Sequence, residues 1–311
     1  MGAGELEAFT ATLVAAPTPV SIEEAAELAW TRYGLKATAT RLTGERDENF
    51  RLTCPDGAQY VLKIANTAED PIVTDLPTAA LLHLERVDPD FPCPRVLRDL
   101  DRRTQSRYED RSGAQRTLRI LTFLSGTVLR SAPHSRERRA ACGRLGARLG
   151  VAFRGFTHPA ASRPLIWDLR HVGKALLLLP ELPDLPARAA IAALLRAVDA
   201  RIAQGFESLR QQTIHNDLND LNLLVDARDG SRIVGVIDFG DLAQTALVAD
   251  VAIMASYQIA PDEPARNSIA DIVMAYHQTT PLRPEELAML NPLIAGRILT
   301  DVVIPAWHRR R

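Results

Sequence analysis

Two short loops, met in fixed order late in the chain, constrain this sequence more than anything else in it. The first reads Ile214-His215-Asn216-Asp217-Leu218-Asn219-Asp220-Leu221-Asn222 and the second Val236-Ile237-Asp238-Phe239-Gly240. Apolar, strand-like runs flank them at 212–214, 223–225 and 233–237, and the hairpin-sized stretch 226–231 with Asp229-Gly230 lies between. The pattern is H-x-D-L-x-x-x-N followed by D-F-G. Such a loop can aim the Asp217 carboxylate at a hydroxyl while the amide oxygen of Asn222, five residues on, reaches a cation bound to phosphates. Asp238 supplies the charged oxygen that a hard ion such as Mg2+ prefers. Asx-rich turns between strands are common in themselves. It is the order and spacing of the two loops together that point to phosphoryl transfer.

Composition allows this chemistry and excludes others. The chain has 311 residues, 46% hydrophobic and 24% charged, which is enough for two packed lobes. A formal net charge of -1 speaks against a nucleic-acid partner. The Arg-rich stretch 95–119 is interleaved with Asp99, Asp101, Glu109 and Asp110 and reads as a solvated loop. Cys54, Cys93 and Cys142 are far apart and form no C-x-x-C pair, so no disulfide framework or zinc site is expected and a cytoplasmic location fits best. The first sixteen residues carry Glu5 and Glu7 without a basic leader and do not read as a signal peptide. No run approaches the ~20 consecutive apolar residues of a bilayer span, so no membrane partner is expected.

Read in order, Ser21-Ile22-Glu23-Glu24 is a capping box opening a helix to Tyr33, with Gly34 as its stop. An antiparallel meander follows through 37–42, 50–54 and 60–64, with Pro55-Asp56-Gly57 as a hairpin turn. The 43–49 turn sits where a phosphate-covering loop would lie. It contains only Gly44 and does not match G-x-G-x-x-G. Asn49 either folds back onto this turn or offers its amide to a phosphate.

Lys63 is a single lysine in an apolar strand, and a buried ammonium needs an anion. We assign it to the α- and β-phosphates of a nucleotide. The helix at 72–87 should carry its acidic partner; Asp75, in the first turn, is the choice, with Glu69 and Asp70 as alternatives. The strand ending at Ser125-Gly126 reads as a hinge, where backbone groups of Leu121 and Phe123 could bond a purine. Beyond it the chain has helical periodicity at 135–153, 186–208, 250–259, 265–277 and 284–304. Asp250 reads as an N-cap bracing the metal loop. His215 is expected to orient the catalytic loop through a backbone hydrogen bond.

With these residues placed, the chain resembles the aminoglycoside phosphotransferase-like family, a branch of the protein-kinase-like fold, over nearly its whole length. Trp167-Asp168-Leu169-Arg170-His171, the 214–222 loop and Gly235-Val236-Ile237-Asp238-Phe239-Gly240-Asp241 are most similar to its hydroxylysine kinase group. The resemblance implies an α+β, bilobal fold: a nucleotide-gripping lobe at 1–121 with an antiparallel sheet, a hinge at 122–126 and a helical lobe at 127–311. It implies Asp217 as catalytic base, Asn222 and Asp238 as magnesium ligands, and Lys63 as the phosphate lysine, with ATP or GTP as co-substrate. Asn216 replaces the arginine common in protein kinases and no A-P-E segment follows, so a small-molecule acceptor is expected. Asp241 or Asp168 could receive an acceptor ammonium, Asp168 being equally readable as a helix cap, and Arg170 or Arg297 an acceptor carboxylate. An amino alcohol or hydroxylated amino acid such as hydroxylysine is the expected acceptor; an aminoglycoside phosphotransferase and a nucleotide-binding pseudokinase are the alternatives.

Overall fold

The computed structural model describes residues 19–44, 47–184 and 186–310. The leader reading at 1–16 and part of the 43–49 turn, Glu45 and Arg46, lie outside the described residues.

Helix α1 (Ile22–Tyr33) starts and stops where its caps dictate. The Ser21 hydroxyl accepts the Glu24 N–H at 3.1 Å, and Gly34 closes the helix in the left-handed region at φ 69°. Strands β1 (Thr38–Leu42), β2 (Glu48–Thr53), β3 (Gln59–Ile64), β4 (Ser106–Glu109) and β5 (Gln115–Thr122) form an antiparallel sheet in the order β1-β2-β3-β5-β4. Directly opposed residues share a face. Phe50, Leu62 and Ile120 therefore lie in one row, and with Leu52, Ile64 and Leu118 they bury one face against Ala25, Leu28 and Ala29 of α1. The neighbouring row, Asn49, Lys63 and Arg119, shares the opposite face.

The 95–119 stretch is not the solvated loop its charge suggests. It contributes β4 and most of β5, and Arg116 and Arg119 are buried. Arg116 donates from Nε to the Ala65 carbonyl at 3.1 Å, while Asp99 is buried accepting from the Arg103 N–H and the Ser106 hydroxyl. Strand β5 is buried on both faces, so Arg116 and Arg119, three residues apart and on opposite faces, are both enclosed.

Helix α2 (Pro71–Val87) opens on Asp70, which caps the Ile72 N–H at 2.9 Å. Its buried face, Leu76, Ala80, Leu81 and Leu84, belongs to the core of the helical lobe and not to that of the sheet. The boundary at 121 is thus bridged by α2, which couples the two lobes.

The helical lobe comprises α3 (Arg136–Ala152), α4 (Arg188–Gly205), α5 (Val248–Tyr257), α6 (Ala265–Thr279) and α7 (Pro284–His308). Helices α3 and α6 pack closely because Gly143 has no Cβ: one there would collide with the Ile272 carbonyl. Helix α7 is long and apolar enough by length and composition to cross a membrane, although no single run in it is unbroken by polar residues. More than half of its most apolar window is buried inside the lobe, against α4 and α5. Between these helices run β6 (Thr127–Val128), β7 (Gln211–Ile214), β8 (Leu223–Val225), β9 (Ile233–Val236) and β10 (Ala243–Ala246). Strand β8 pairs with β6 and β9, and β7 pairs with β10.

Candidate active site

Both loops leave these small ladders at the same place. Leu223 pairs with Val236, and the Ile237 N–H continues the ladder to the Asn222 carbonyl at 2.9 Å. That register sets Asn222, the last residue of the first loop, beside Asp238, the turning point of the second. Asp238 sits at φ 59°, and its carboxylate accepts from the Gly240 N–H at 3.3 Å.

The first loop is tied down from below. Asp250 accepts the His215 N–H at 3.0 Å and the Asn216 N–H at 2.8 Å, one on each oxygen. It lies inside α5 and is not its cap, and it braces the catalytic loop instead of the metal loop. Burial raises its carboxyl to about 7 against the pull of the two N–H groups. The grip holds Asn216 in the left-handed region at φ 63°, which turns the chain so that Asp217 points outward. His215 is fully buried, bonds the Ile237 carbonyl through Nε2 at 3.2 Å and meets the Phe239 ring edge-on, so its side chain ties its loop to the second loop instead of bonding the backbone of its own. Burial lowers its pKa to about 4, so it is neutral and no base.

Asp217 is held on three of its lone-pair sites. Oδ1 accepts from Asn219 Nδ2 at 2.9 Å and from Arg297 Nη2 at 2.8 Å, and Oδ2 accepts from Asn222 Nδ2 at 2.7 Å. A carboxylate has about four such sites. Among the described residues the remaining one, on Oδ2, accepts no hydrogen bond, and a fifth of the side chain stays exposed. Burial raises this carboxyl to about 7, opposed by the Arg297 charge and assisted by those of Asp241 and Asp238. Asn222 spends its NH2 on Asp217, which turns its amide oxygen toward other duties.

One cavity gathers Lys63, Asn49, Arg119, Asp217, Asn222, Asp238 and Asp241. Lys63 is mostly buried and its Nζ lies 3.5 Å from Asp238. Among the described residues lining the cavity are five carboxylates (Asp47, Glu69, Asp217, Asp238, Asp241) against two cations. A polyphosphate could enter only with metal ions to offset that charge. The Asn222 amide oxygen and the Asp238 and Asp241 carboxylates are hard oxygen donors of the type that suit such an ion.

Several expected residues fall elsewhere. Asp75 is exposed and pairs with His158 at 3.3 Å, not with Lys63, because the helix turns it away from the sheet; Glu69, in the preceding loop, lines the cavity. Leu121 and Phe123 do not line it, and the Phe123 N–H is spent on the Gln59 carbonyl at 3.2 Å. Asp168 is a cap: it accepts the Arg170 N–H at 2.9 Å and the Thr245 hydroxyl at 2.9 Å, buried away from the cavity. Arg170 bonds Gln211 and the Gln244 carbonyl and stacks on Phe206, outside the cavity. Arg297 is buried beneath Asp217, ion-paired to Asp217 and Asp301 and stacked on Trp167 and Tyr257. Its first duty is to hold the catalytic carboxylate.

Two further supports carried no signal in the motif. Arg163 donates to the Gly240 and Leu242 carbonyls at 2.7 and 2.9 Å, pinning the metal loop. Arg130 makes a forked pair with Asp220 at the tip of the catalytic loop.

Comparison with known proteins agrees with this geometry. The phosphotransferase enzyme family matches residues 38–287, which is most of the chain and includes both loops. The chain belongs to this family. Among curated members, hydroxylysine kinase of Mus musculus is 26% identical over 94% of this chain and 84% of that protein. The Danio rerio hydroxylysine kinase is 24% identical over 88% of this chain and 80% of that protein. Among solved structures, an amicoumacin kinase in complex with AMP-PNP, Ca2+ and Ami superposes with a TM-score of 0.71 at 16% identity, covering 92% of this chain and 85% of that one. A microcompartment-associated aminopropanol kinase gives 0.69 at 22% identity, covering 91% and 87%. The fold is therefore the bilobal α+β fold that the family's kinases share.

Proposed function

We propose that this protein is a small-molecule kinase that transfers the γ-phosphoryl group of ATP or GTP to a hydroxyl of an amino alcohol or hydroxylated amino acid, hydroxylysine being the first acceptor to test. The observation that carries this reading is the state of Asp217. Three of its acceptor sites are tied by Asn219, Asn222 and Arg297, and the remaining one, on Oδ2, belongs to a residue of the cavity that also contains Lys63 and Asp238. The hydroxylysine kinases and the aminopropanol kinase among its relatives act, by their names, on acceptors of this chemistry. Their acceptors share an amine and a hydroxyl on one small molecule.

In the transfer, the acceptor hydroxyl donates to Asp217 Oδ2, which orients its oxygen toward the γ-phosphorus. The new O–P bond forms as the bond from the γ-phosphorus to the β,γ-bridging oxygen breaks; the diphosphate leaves, and the hydroxyl proton passes to Asp217. Lys63 neutralises phosphate charge. Asn222 and Asp238 would hold Mg2+, which supplies further neutralisation of the polyphosphate when bound. Most of the rate gain comes from positioning and charge complementarity. The raised pKa of Asp217 lets it take the proton near neutral pH.

The surroundings of Asp217 carry both signs of charge. Arg297, Trp167, Tyr257 and Asp301 cluster around its inner side, with the Arg130–Asp220 pair close to Asp301. The test is a coupled ADP- or GDP-release assay with magnesium, run against hydroxylysine, other hydroxy amino acids, amino alcohols and one aminoglycoside. Turnover with an amino alcohol or hydroxy amino acid that disappears in Asp217→Asn establishes the reading. Turnover with the aminoglycoside alone, or normal turnover by the variant, refutes it.

A further inference from the structure

The 43–49 turn has too few glycines to wrap a triphosphate with backbone N–H groups, yet Lys63 is the one cation the motifs assign to that task. The sheet shows a second. Asn49, Lys63 and Arg119 lie directly opposite one another across β2, β3 and β5, on the face turned away from the α1 core. All three line the cavity. Opposed residues on one face are close enough to act on the same ligand.

Arg119 is 4% exposed. Its guanidinium reaches the Asp47 carboxylate at 3.4 Å and the Thr74 carbonyl at 3.5 Å, both long for a charge-assisted bond. Among the described residues its Nε–H has no acceptor, and on the far side of Lys63 the Asn49 amide oxygen is likewise buried without a partner. Two orphaned polar atoms flanking the phosphate lysine are expensive in an empty cavity, and a hydrogen-bonding ligand relieves both. A phosphate oxygen suits the Nε–H; a phosphate-bound water suits the Asn49 oxygen.

We propose that Arg119 is a second phosphate-binding cation of this kinase, taking over the work that a glycine-rich loop does with backbone donors. In the absence of nucleotide, Asp47 of the turn stands in for the phosphate on the guanidinium. Nucleotide phosphate displaces that carboxylate and uses the Nε–H as well. The inference rests on the kinase reading of the cavity, and its failure is separable from that reading.

Isothermal titration tests it with magnesium-ADP, magnesium-GDP and the corresponding nucleosides on wild type, Arg119→Met, Arg119→Lys and Asp47→Asn. Arg119→Met should weaken diphosphate binding at least about tenfold while nucleoside affinity stays within about twofold, because only the phosphates meet the guanidinium. Arg119→Lys keeps the charge but removes the Nε–H and the fork, so it should recover only part of the loss; it also answers the question if Arg119→Met does not fold. Asp47→Asn should tighten diphosphate binding by about two- to fivefold, since it removes a competing anion. Two results overturn the proposal. One is diphosphate affinity in Arg119→Met equal to wild type. The other is a loss in Asp47→Asn as large as that in Arg119→Met, which would make Arg119 only a tether for the turn. Wild-type protein that binds neither diphosphate removes the kinase reading itself, and the proposal with it.

Discussion

Asp250→Asn separates the brace of the catalytic loop from its chemistry. The substitution keeps shape and volume but replaces one of two acceptor oxygens by an NH2 group. Asp250 now accepts the His215 and Asn216 N–H groups at 3.0 and 2.8 Å from a buried position. In the variant one of those N–H groups faces a donor, and an unsatisfied buried donor costs about 1–3 kcal/mol. The Asn216 backbone has the most to lose, because it is held at φ 63° for a residue with a Cβ. When it relaxes, the next residue, Asp217, leaves its line with the acceptor oxygen, and a misplacement near 1 Å is enough for roughly a hundredfold loss in rate. We therefore expect Asp250→Asn to lose about 1–3 kcal/mol in urea unfolding and roughly a hundredfold in kcat. Magnesium-ADP affinity should stay near the wild-type value, since no contact of Asp250 reaches Lys63 or Asp238. Unfolding titrations, single-turnover phosphoryl transfer and nucleotide titration read these separately. A variant that is less stable but transfers phosphate at the wild-type rate would refute the bracing argument.

Other perturbations have equally definite outcomes. Asp75→Ala should leave nucleotide affinity unchanged and stability within about 1 kcal/mol, because its pair with His158 is at the surface; a large rise in nucleotide KM would return Asp75 to the site. His215 is neutral when folded, with its pKa lowered to about 4 from 6.5, so protons bind the unfolded chain first as pH falls. Its contribution to stability is intact above pH 6.5 and is lost between 6.5 and 4, by up to roughly 3 kcal/mol; the wild-type unfolding curve should fall more steeply across that window than that of His215→Gln. Gly143→Ala puts a methyl group against the Ile272 carbonyl, so α3 and α6 must separate, and thermal melts should show a loss of about 1–3 kcal/mol.

The parts of the fold that could be read from the sequence are those governed by neighbours in the chain. Ser21 and Gly34 bound α1 because caps act over three or four residues, and Pro55-Asp56-Gly57 turns the hairpin for the same reason, with Gly57 at φ 86°. Asp217, Asn222 and Asp238 were legible because a ladder of two strands brings their loops together. Asp75 was misread because a sequence does not show which way a helix is rotated against a sheet. An error of one residue, about 100° of rotation, moves a carboxylate from the cavity to solvent. The burial of Arg116 and Arg119 is hidden by composition: acidic neighbours make the stretch look solvated, whereas both faces of β5 are covered and the two side chains, on opposite faces, are both enclosed.

The two halves of the site differ in this respect for a physical reason. Phosphates are the same in every nucleotide, so the residues that hold them can be drawn from short motifs fixed on adjacent strands and turns. The support of Asp217 is assembled from segments far apart in the chain: Trp167 before a 3-10 turn, Tyr257 at the end of α5, and Arg297 and Asp301 from α7. No local spacing announces such a cluster. Arg297 illustrates the consequence. From the sequence it is one arginine in an apolar helix, available for an acceptor carboxylate. In the structure it is buried between two aromatic rings, and its charge opposes the burial that would otherwise hold Asp217 protonated still more firmly. Arg297, its two rings and Asp301 thus form one structure with the Asp217 carboxylate. Trp167 touches the guanidinium through its face, whereas the Tyr257 hydroxyl also accepts from Arg297 Nη2 at 3.0 Å and Asp301 shares its charge, so Trp167 can change shape with the least effect on that ion pair.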